Sequence, residues 1–281
     1  MSNIKLGFFK RNFCYVCLFV LTVASLFPFF VLLVNSTRSH AQIQKGFSAL
    51  FGTFFFENLG KLFSNPNIPV LKALFNSVFV SCMSALLCTY FSAMTAYGIY
   101  MYHFKGRNTA FKVILAIMMI PTQVSSLGFI QLLIKIGLID TLAALYIPAI
   151  ASPVVFFYMY QAMTATLSYS IVEAARIDGC PEFRTFNTIV MPLMKPAIAV
   201  QAIFAFVGSW NNYFIPALVI NSKAKKTIPI LIAQLRSADY QKFDMGQVYI
   251  FIFLAIIPLV IVYLFLSRNI IRGVSVGAVK E

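Results

Sequence analysis

Six long apolar runs constrain the fold of this chain more than any other feature of its sequence. They cover residues 13–34, 73–101, 111–134, 144–166, 197–220 and 247–267. About 20 apolar residues are enough for a helix to cross a hydrocarbon layer of roughly 30 Å. With 60% hydrophobic and 11% charged residues, the 281-residue chain lacks the polar surface of a soluble protein. The runs predict an all-α membrane protein with six transmembrane helices.

The first run must be distinguished from a secretory signal, because Lys10 and Arg11 precede it and Ser39–Ala41 loosely resembles a cleavage site. Its apolar core is longer than the roughly 7–15 residues typical of a signal peptide. We therefore expect a retained first helix. With six spans both termini lie on one side, yet 12 of the 22 Lys and Arg residues fall on that side and 10 on the other. Charge alone therefore leaves the orientation open.

Charge and cysteine usage exclude two other classes of protein. The net charge of +14 comes from Lys and Arg scattered through short loops, where anionic lipid attracts them. No basic groove with interleaved aromatic residues is present, so nucleic-acid binding is not expected. Cys14 and Cys17 have no second cysteine pair nearby, and His40 and His103 are distant in sequence. Neither a metal site nor a disulfide framework is expected.

The sequence also lacks motifs for ATP binding, catalysis or proton coupling. It contains no G-x-x-x-x-G-K-[ST] loop for ATP and no recognisable hydrolase triad. None of the six runs contains Asp or Glu, the residues that proton-coupled carriers use inside the membrane. We predict that the chain is not an enzyme and binds no cofactor itself. If it pumps a solute, another subunit supplies the energy.

Polar residues nevertheless collect near the middle of two runs, in IPTQVSS (120–126) and WNNYFIP (210–216). Proline can break a membrane helix there, and side-chain amides at that depth need protein or water as partners. Gln123, Asn211 and Asn212 are therefore candidates for a translocation pathway, with Trp210 as a ring for stacking against a polar solute. Hydrogen bonding between helices is the alternative role.

Two stretches between the runs carry further signals. Residues 47–69 are rich in aromatic residues and contain Glu57 and Lys61, which predicts either a helix lying in the membrane interface or a loop packed over the spans. Residues 167–196 contain EAARIDGCPEFRTFNTIVMP. In the second stretch Gly179 suits a helix end, since glycine tolerates positive φ.

Within this second stretch the predicted contacts are local. Glu173 and Arg176 lie three residues apart on one helical face and can pair. Phe183, Phe186 and Val190 form an apolar stripe on a second short helix that starts near Pro181. The stripe either docks a partner or packs onto the inner ends of the chain's own spans.

The same stretch resembles the EAA loop of ABC importer permeases, whose pattern is E-A-A-x3-G-x9-I-x-L-P. Met191 replaces the usual Leu, and Cys180 and Pro181 depart from the usual small and polar residues. The matching positions are Glu173, Ala174, Ala175, Gly179, Ile189 and Pro192, and an Asp178–Gly179 pair is typical of the carbohydrate branch. Further likenesses to that branch lie at 76–81, 96–108, 118–121, 137–141, 210–216 and 277–280.

The resemblance implies the ABC type I importer permease fold, with six spans and a cytoplasmic coupling helix in the loop 167–196. It also implies a bacterial cell membrane location with cytoplasmic termini, residues 1–12 and 268–281, the latter touching the ATPase dimer. The coupling residues it implies are Glu173, Ala174, Ala175, Asp178, Gly179, Phe183 and Phe186. A loop facing the solute-binding protein would contain Lys225, Lys226, Arg236, Asp239 and Tyr240.

The family likeness further implies four partners besides the lipid bilayer: a second homologous permease, an ABC ATPase dimer that binds ATP and Mg, an extracytoplasmic solute-binding protein and a carbohydrate substrate. The expected function is ATP-driven import of a carbohydrate by alternating access. One alternative is import of glycerol phosphate or a polyol by the same machine. Another is an ATP-independent carrier.

Overall fold

The structure, a computed structural model, describes the backbone of residues 2–237 and 244–278 and the side chains of residues 10–237 and 244–265. Within those ranges the regular secondary structure is entirely helical, with loops and turns between the helices, and no strand forms. In chain order the helices are α1 Ser2–Ser36, α2 His40–Gln44, α3 Phe55–Ser64, α4 Val70–Met101, α5 Arg107–Ile117, α6 Thr122–Lys135, α7 Ala143–Tyr146, α8 Pro153–Thr166, α9 Tyr169–Ile177, α10 Glu182–Thr185, α11 Met191–Leu193, α12 Lys195–Trp210, α13 Phe214–Val219, α14 Ile228–Arg236 and α15 Met245–Ala278. A π-helical turn, Phe186–Val190, joins α10 to α11, and short 3-10 turns occupy Ile147–Ile150 and Lys223–Lys225.

Four helical stretches in the described part of the chain are long and apolar enough to cross a membrane: Lys10–Ser36, Val70–Met101, Ala143–Thr166 and Met245–Phe265. Two bent pairs would raise the number to six if each pair formed one span, namely α5 with α6 and Glu182–Leu193 with α12. The structure therefore supports an all-helical protein with between four and six membrane helices.

The predicted spans 111–134 and 197–220 are not continuous helices. The first breaks between α5 and α6, whose axes differ by 101°, because Pro121 lacks the N–H that a continuing helix would need. The second breaks after Trp210, where residues 211–213 separate α12 from α13. By contrast, α4 runs unbroken from Val70 to Met101, within three residues of the predicted boundaries. The last helix, α15, continues past the predicted span end at residue 267 to Ala278.

The chain divides into two compact units, the first of which contains Met1–Ile68 and Ile232–Ile256. Its centre is Asn58 of α3, which is buried and donates from Nδ2 to the backbone oxygens of Ser36 and Arg38, at 3.0 Å each. A Cβ at Gly246 would lie 2.5 Å from Oδ1 of Asn58, so this position requires glycine. The 47–69 segment thus contains a helix with one packed face, while Phe56 of the same helix is exposed.

The second unit contains Pro69–Leu231 and Ile257–Glu281, and α4 is its central helix. The buried face of α4 is made mostly of small residues, which allow α8 and α12 to approach closely. The Oγ of Ser209 in α12 donates to the Oγ of Ser84 in α4 at 3.3 Å. A hydrophobic core lies beside the C-terminal half of α4 and includes Met159, Met163, Val172 and Val190. This core joins α4 to α8, α9 and the π-helical turn.

Candidate functional site

The candidate site is the loop 167–196 between α8 and α12, whose shape is set by a glycine turn. Gly179 follows α9 with a φ of +74°, as its sequence position predicts. The N–H of Gly179 donates to the oxygen of Arg176 at 3.0 Å, and that of Cys180 donates to the oxygen of Ala175 at 2.9 Å. These two bonds form a Schellman motif, which satisfies the last carbonyls of α9. Because the motif uses the backbone N–H of Cys180 and not its side chain, it does not depend on which side chain stands at this position.

Pro181 then directs the chain into the second half of the loop. It lies just before α10 in an extended conformation, and its oxygen accepts a hydrogen bond from the N–H of Thr185 at 2.9 Å. Phe186–Val190 is π-helical and continues into α11. The axis of the Glu182–Leu193 segment meets that of α12 at 82°. The loop is therefore two short helical arms that meet at Gly179.

The two arms leave a mixed apolar and acidic surface exposed, which we name the outer surface of the loop: Glu173, Ala174, Ile177, Asp178 and Phe183. The Ile177 and Phe183 side chains are 86% and 69% exposed. Ile177 was not among the predicted coupling residues. Its apolar character and its position four residues after Glu173 were the signals that could have found it.

The predicted stripe of Phe183, Phe186 and Val190 is wrong as a single surface. Phe186 is 2% exposed and packs against Tyr90 and Tyr97 of α4, with ring centroids 5.7 and 5.5 Å apart. Val190 is also buried, whereas Phe183 points outward. Phe186 and Val190 both belong to the core beside α4, so Phe183 is the one residue of the three that is left exposed. Ala175 likewise faces inward, so of the two predicted alanines only Ala174 belongs to the outer surface.

The predicted pairing of Glu173 with Arg176 is also wrong. Nε of Arg176 instead contacts Oε1 of Glu182 at 2.5 Å, across the Gly179 turn. In the part of the chain that the structure describes, Glu173 has no ion-pair partner. The glutamate that the family pattern begins with is thus exposed and available to another molecule.

Glu182 links the loop to α4. Its Oε2 accepts a hydrogen bond from the hydroxyl of Tyr97 at 2.9 Å, and the guanidinium of Arg176 lies over the ring of Tyr102 at 5.4 Å. Partial burial opposes ionisation of Glu182, but the hydrogen bonds from Arg176, Tyr102 and Tyr97 outweigh it and lower the pKa of this carboxyl. Glu182 is therefore held as a carboxylate.

The candidate pathway residues lie in two places. Gln123 is exposed in the first turn of α6. Trp210 ends α12 and is 3% exposed, with its ring stacked on Phe206 at 5.7 Å. Asn211 and Asn212 follow it in the break before α13. No described hydrogen bond or ring contact joins Gln123 to the other three.

Asn212 also lines a small polar cavity of about 20 Å³, together with Ser77, Ser81 and Thr227. The hydroxyls of Ser81 and Thr227 are buried and have no hydrogen-bond partner within the part of the chain that the structure describes. A space of that volume admits one water molecule, which could serve both hydroxyls. The break in the fifth predicted span therefore lies beside a cavity with both polar and apolar lining residues.

The residues predicted to face the binding protein have different surroundings in the structure. Lys225 is held by Asp140, since its Nζ lies 3.4 Å from Oδ2 of that residue and also donates to its backbone oxygen. Oδ1 of Asp140 accepts from the N–H groups of Asn221 and Ser222, at 2.9 Å each. The Ser222 hydroxyl is the main cause that holds the pKa of Asp140 well below its usual range.

The other residues of that group are placed differently. The backbone oxygen of Lys226 accepts from the Asn76 side chain at 3.0 Å. Arg236 is exposed at the end of α14. Asp239 and Tyr240 lie outside the described residues. Asp140, which has a φ of +56° and organises the segment that follows α13, was not predicted.

The known proteins that this chain resembles are membrane components of transport systems. A family profile described as "Binding-protein-dependent transport system inner membrane component" matches residues 85–276. The chain is 36% identical to "Arabinooligosaccharides transport system permease protein AraQ" of Bacillus subtilis (strain 168), over 93% of this chain and 92% of that protein. It is 31% identical to "Lactose transport system permease protein LacG" of Rhizobium radiobacter, over 91% of each. With "sn-glycerol-3-phosphate transport system permease protein UgpE" of Yersinia enterocolitica it shares 29% identity, over 93% of this chain and 94% of that protein.

A solved structure has the same fold. The crystal structure of "a bacterial ABC transporter involved in the import of the acidic polysaccharide alginate" contains a chain that matches with a TM-score of 0.80 at 20% identity. The match covers 92% of this chain and 95% of that chain. The chain therefore shares its fold with a chain of that ABC transporter.

Proposed function

We propose that this chain, which belongs to the family of binding-protein-dependent transport system inner membrane components, is the transmembrane permease subunit of an ABC importer for a carbohydrate. The observation that carries the proposal is the loop 167–196. It matches the EAA pattern and presents an outer surface with exposed Ile177 and Phe183 and with Glu173, which has no ion-pair partner among the described residues. Exposed apolar groups rimmed by charges are typical of an interaction site.

The loop is the coupling helix region in this proposal, and it lies on the cytoplasmic side with both termini. The outer surface seats in a partner ATPase, and Glu173 pairs with a basic group of that partner. ATP and Mg bind to the ATPase dimer. Six spans form when α5 and α6 together cross the membrane once and α12 crosses it together with α13. Closure of the ATPase dimer moves the loop and switches the spans between inward-open and outward-open states.

The cargo we propose is an oligosaccharide, supported by the arabino-oligosaccharide and lactose permeases among the relatives. A second homologous permease and an extracytoplasmic solute-binding protein complete the transporter, and the segment after α13 faces the binding protein. Asn212 contributes to the pathway through its polar cavity. The burial of Trp210 favours a packing role for that ring over stacking against the solute.

Glycerol phosphate is the second candidate cargo, since a relative bears that name at 29% identity. A phosphate would favour Lys or Arg near the pathway, but the middle of the predicted spans contains neither. Uptake of a neutral arabino-oligosaccharide and of glycerol phosphate by the reconstituted transporter would separate the two. Preference for the phosphate would replace the carbohydrate proposal.

The test of the subunit role is purification from the native membrane in mild detergent, followed by mass spectrometry of what accompanies the chain. We expect a second permease and two copies of an ATPase. A cysteine in place of Glu173 should cross-link to that ATPase, whereas a cysteine in place of exposed Asn108, in the first turn of α5, should not. Recovery of the chain alone after cross-linking would contradict the proposal.

A further inference from the structure

Three tyrosines of α4 donate hydrogen bonds to residues of the loop 167–196. Their spacing places them on one side of α4. Tyr90, Tyr97 and Tyr100 are separated by seven and three residues, which are intervals of nearly whole helical turns. The hydroxyl of Tyr90 donates to Oδ1 of Asn187 at 3.2 Å, and that of Tyr100 donates to the backbone oxygen of Leu167 at 3.0 Å. With the Tyr97–Glu182 bond, these contacts form what we name the tyrosine anchor.

The tyrosine anchor reaches both arms of the loop. Leu167 lies just before α9, whereas Glu182 and Asn187 lie beyond the Gly179 turn. A return bond comes from the first arm, since the hydroxyl of Tyr169 donates to the backbone oxygen of Tyr100 at 3.0 Å. Both arms are therefore hydrogen-bonded to the same helix.

Glu182 is the junction between the outer surface and α4. One carboxylate oxygen contacts Arg176, which belongs to the helix that presents Glu173 and Ile177, and the other accepts from Tyr97. A displacement of α9 therefore reaches α4 through Arg176, Glu182 and Tyr97 in sequence. The apolar contact of Phe186 with the rings of Tyr90 and Tyr97 lies beside this route.

We propose that Tyr97 and Glu182 are positioning residues that transmit movement of the loop to α4, so that ATP hydrolysis drives solute movement. This role rests on the proposed function, because it presumes that the loop seats an ATPase. The Tyr97→Phe variant removes the hydroxyl and keeps the ring that packs on Phe186. The loop remains in place and still binds the ATPase, but its movement is passed to α4 less faithfully.

The experiment measures ATP hydrolysed per solute molecule transported, in liposomes that contain the complete transporter. We expect this ratio to rise about threefold to tenfold in Tyr97→Phe and in Glu182→Gln, the factor expected when a partly exposed hydrogen bond to a charged group is weakened. The double variant should be no worse than about twofold beyond Glu182→Gln, because that variant already weakens the Tyr97–Glu182 bond in addition to the contact with Arg176. Tyr158→Phe, at a half-exposed tyrosine of α8, should leave the ratio unchanged.

Three outcomes would overturn the inference. One is an unchanged ratio in both single variants. Another is a parallel fall in ATP hydrolysis and transport with the ratio preserved, which indicates a loss of assembly. The third is fully additive effects in the double variant. A wild-type transporter that shows no ATP-dependent uptake would instead contradict the proposed function, so the two failures are distinguishable.

Discussion

Two segments are fastened to opposite ends of α4 by different means. Near its beginning, Asn76 and Ser77 are buried and bind backbone atoms of residues 224–228. About 30 Å further along, at 1.5 Å per residue, Tyr97 binds a side chain of the loop 167–196. The first segment is held by bonds between the side chains of Asn76 and Ser77 and backbone atoms alone. The second is held by tyrosines that bind side chains as well as the backbone, and it leaves Phe183 uncovered. The first attachment is suited to a fixed structure, and the second to a surface that another subunit covers and moves.

The largest expected effect distinguishes two phenylalanines of the loop. Phe186→Ala removes a ring that is 2% exposed and should lower the free energy of unfolding by about 3–5 kcal/mol. Phe183→Ser removes a ring that is 69% exposed and should change it by less than about 0.5 kcal/mol. Thermal unfolding of the purified chain measures both.

The same pair tests what covers the outer surface. Phe183→Ser should reduce co-purification of the ATPase at least tenfold, although the chain stays folded. Phe104→Ser, at a half-exposed phenylalanine of the loop before α5, is the matched control and should retain the ATPase. Equal retention by Phe183→Ser and by the control would mean that the outer surface is not the ATPase seat.

The attachment at the other end of α4 is tested by Asn76→Leu. This change leaves the oxygens of Ala224 and Lys226 without their donor in a largely buried site. We expect a loss of about 2–3 kcal/mol in the free energy of unfolding, with ATPase binding retained. Asn108→Leu, at an exposed asparagine, should leave stability nearly unchanged. Loss of ATPase binding in Asn76→Leu alone would show that the two attachments are not independent.

Two glycines give a smaller effect of opposite sign. A Cβ would meet nothing within 4 Å at Gly179 or at Gly208, but only Gly179 has a positive φ. Gly179→Ala should therefore destabilise the chain by about 1–2 kcal/mol, whereas Gly208→Ala within α12 should stabilise it by about 0.5–1 kcal/mol. Unfolding temperatures of the two variants compare them directly. A stabilising Gly179→Ala would contradict the turn geometry.

The smallest expected effect is a pH dependence of stability, to which Asp140 and Glu182 both contribute. Because the folded-state pKa of Asp140 and that of Glu182 are lowered, both carboxylates contribute stability above their unfolded pKa values of about 3.9 and 4.3. That contribution is lost as the pH falls below those values toward the folded pKa values. The unfolding temperature should therefore fall between about pH 5 and pH 3, and less steeply in Asp140→Asn. An equal slope in that variant would mean that Asp140 adds nothing.

Local features of this fold were predictable from the sequence, and non-local ones were not. The helix α4 and the turn at Gly179 follow from apolar length and glycine conformation, which act within a few residues. Arg176 pairs with Glu182 rather than Glu173 because the turn folds one arm back on the other, and the pair Asp140–Lys225 joins residues 85 apart. Phe183 and Phe186 lie three residues apart, yet only Phe186 packs on α4, and no residue pattern in the sequence indicated which of the two is buried.

The most direct test of the importer role is solute uptake by liposomes that contain this chain with its partner permease and ATPase, with the binding protein outside. We expect uptake of a neutral oligosaccharide only when ATP is inside and the binding protein is present, and none from the chain alone under an ion gradient. Uptake by the chain alone, driven by an ion gradient without ATP, would contradict the proposed function and indicate a carrier.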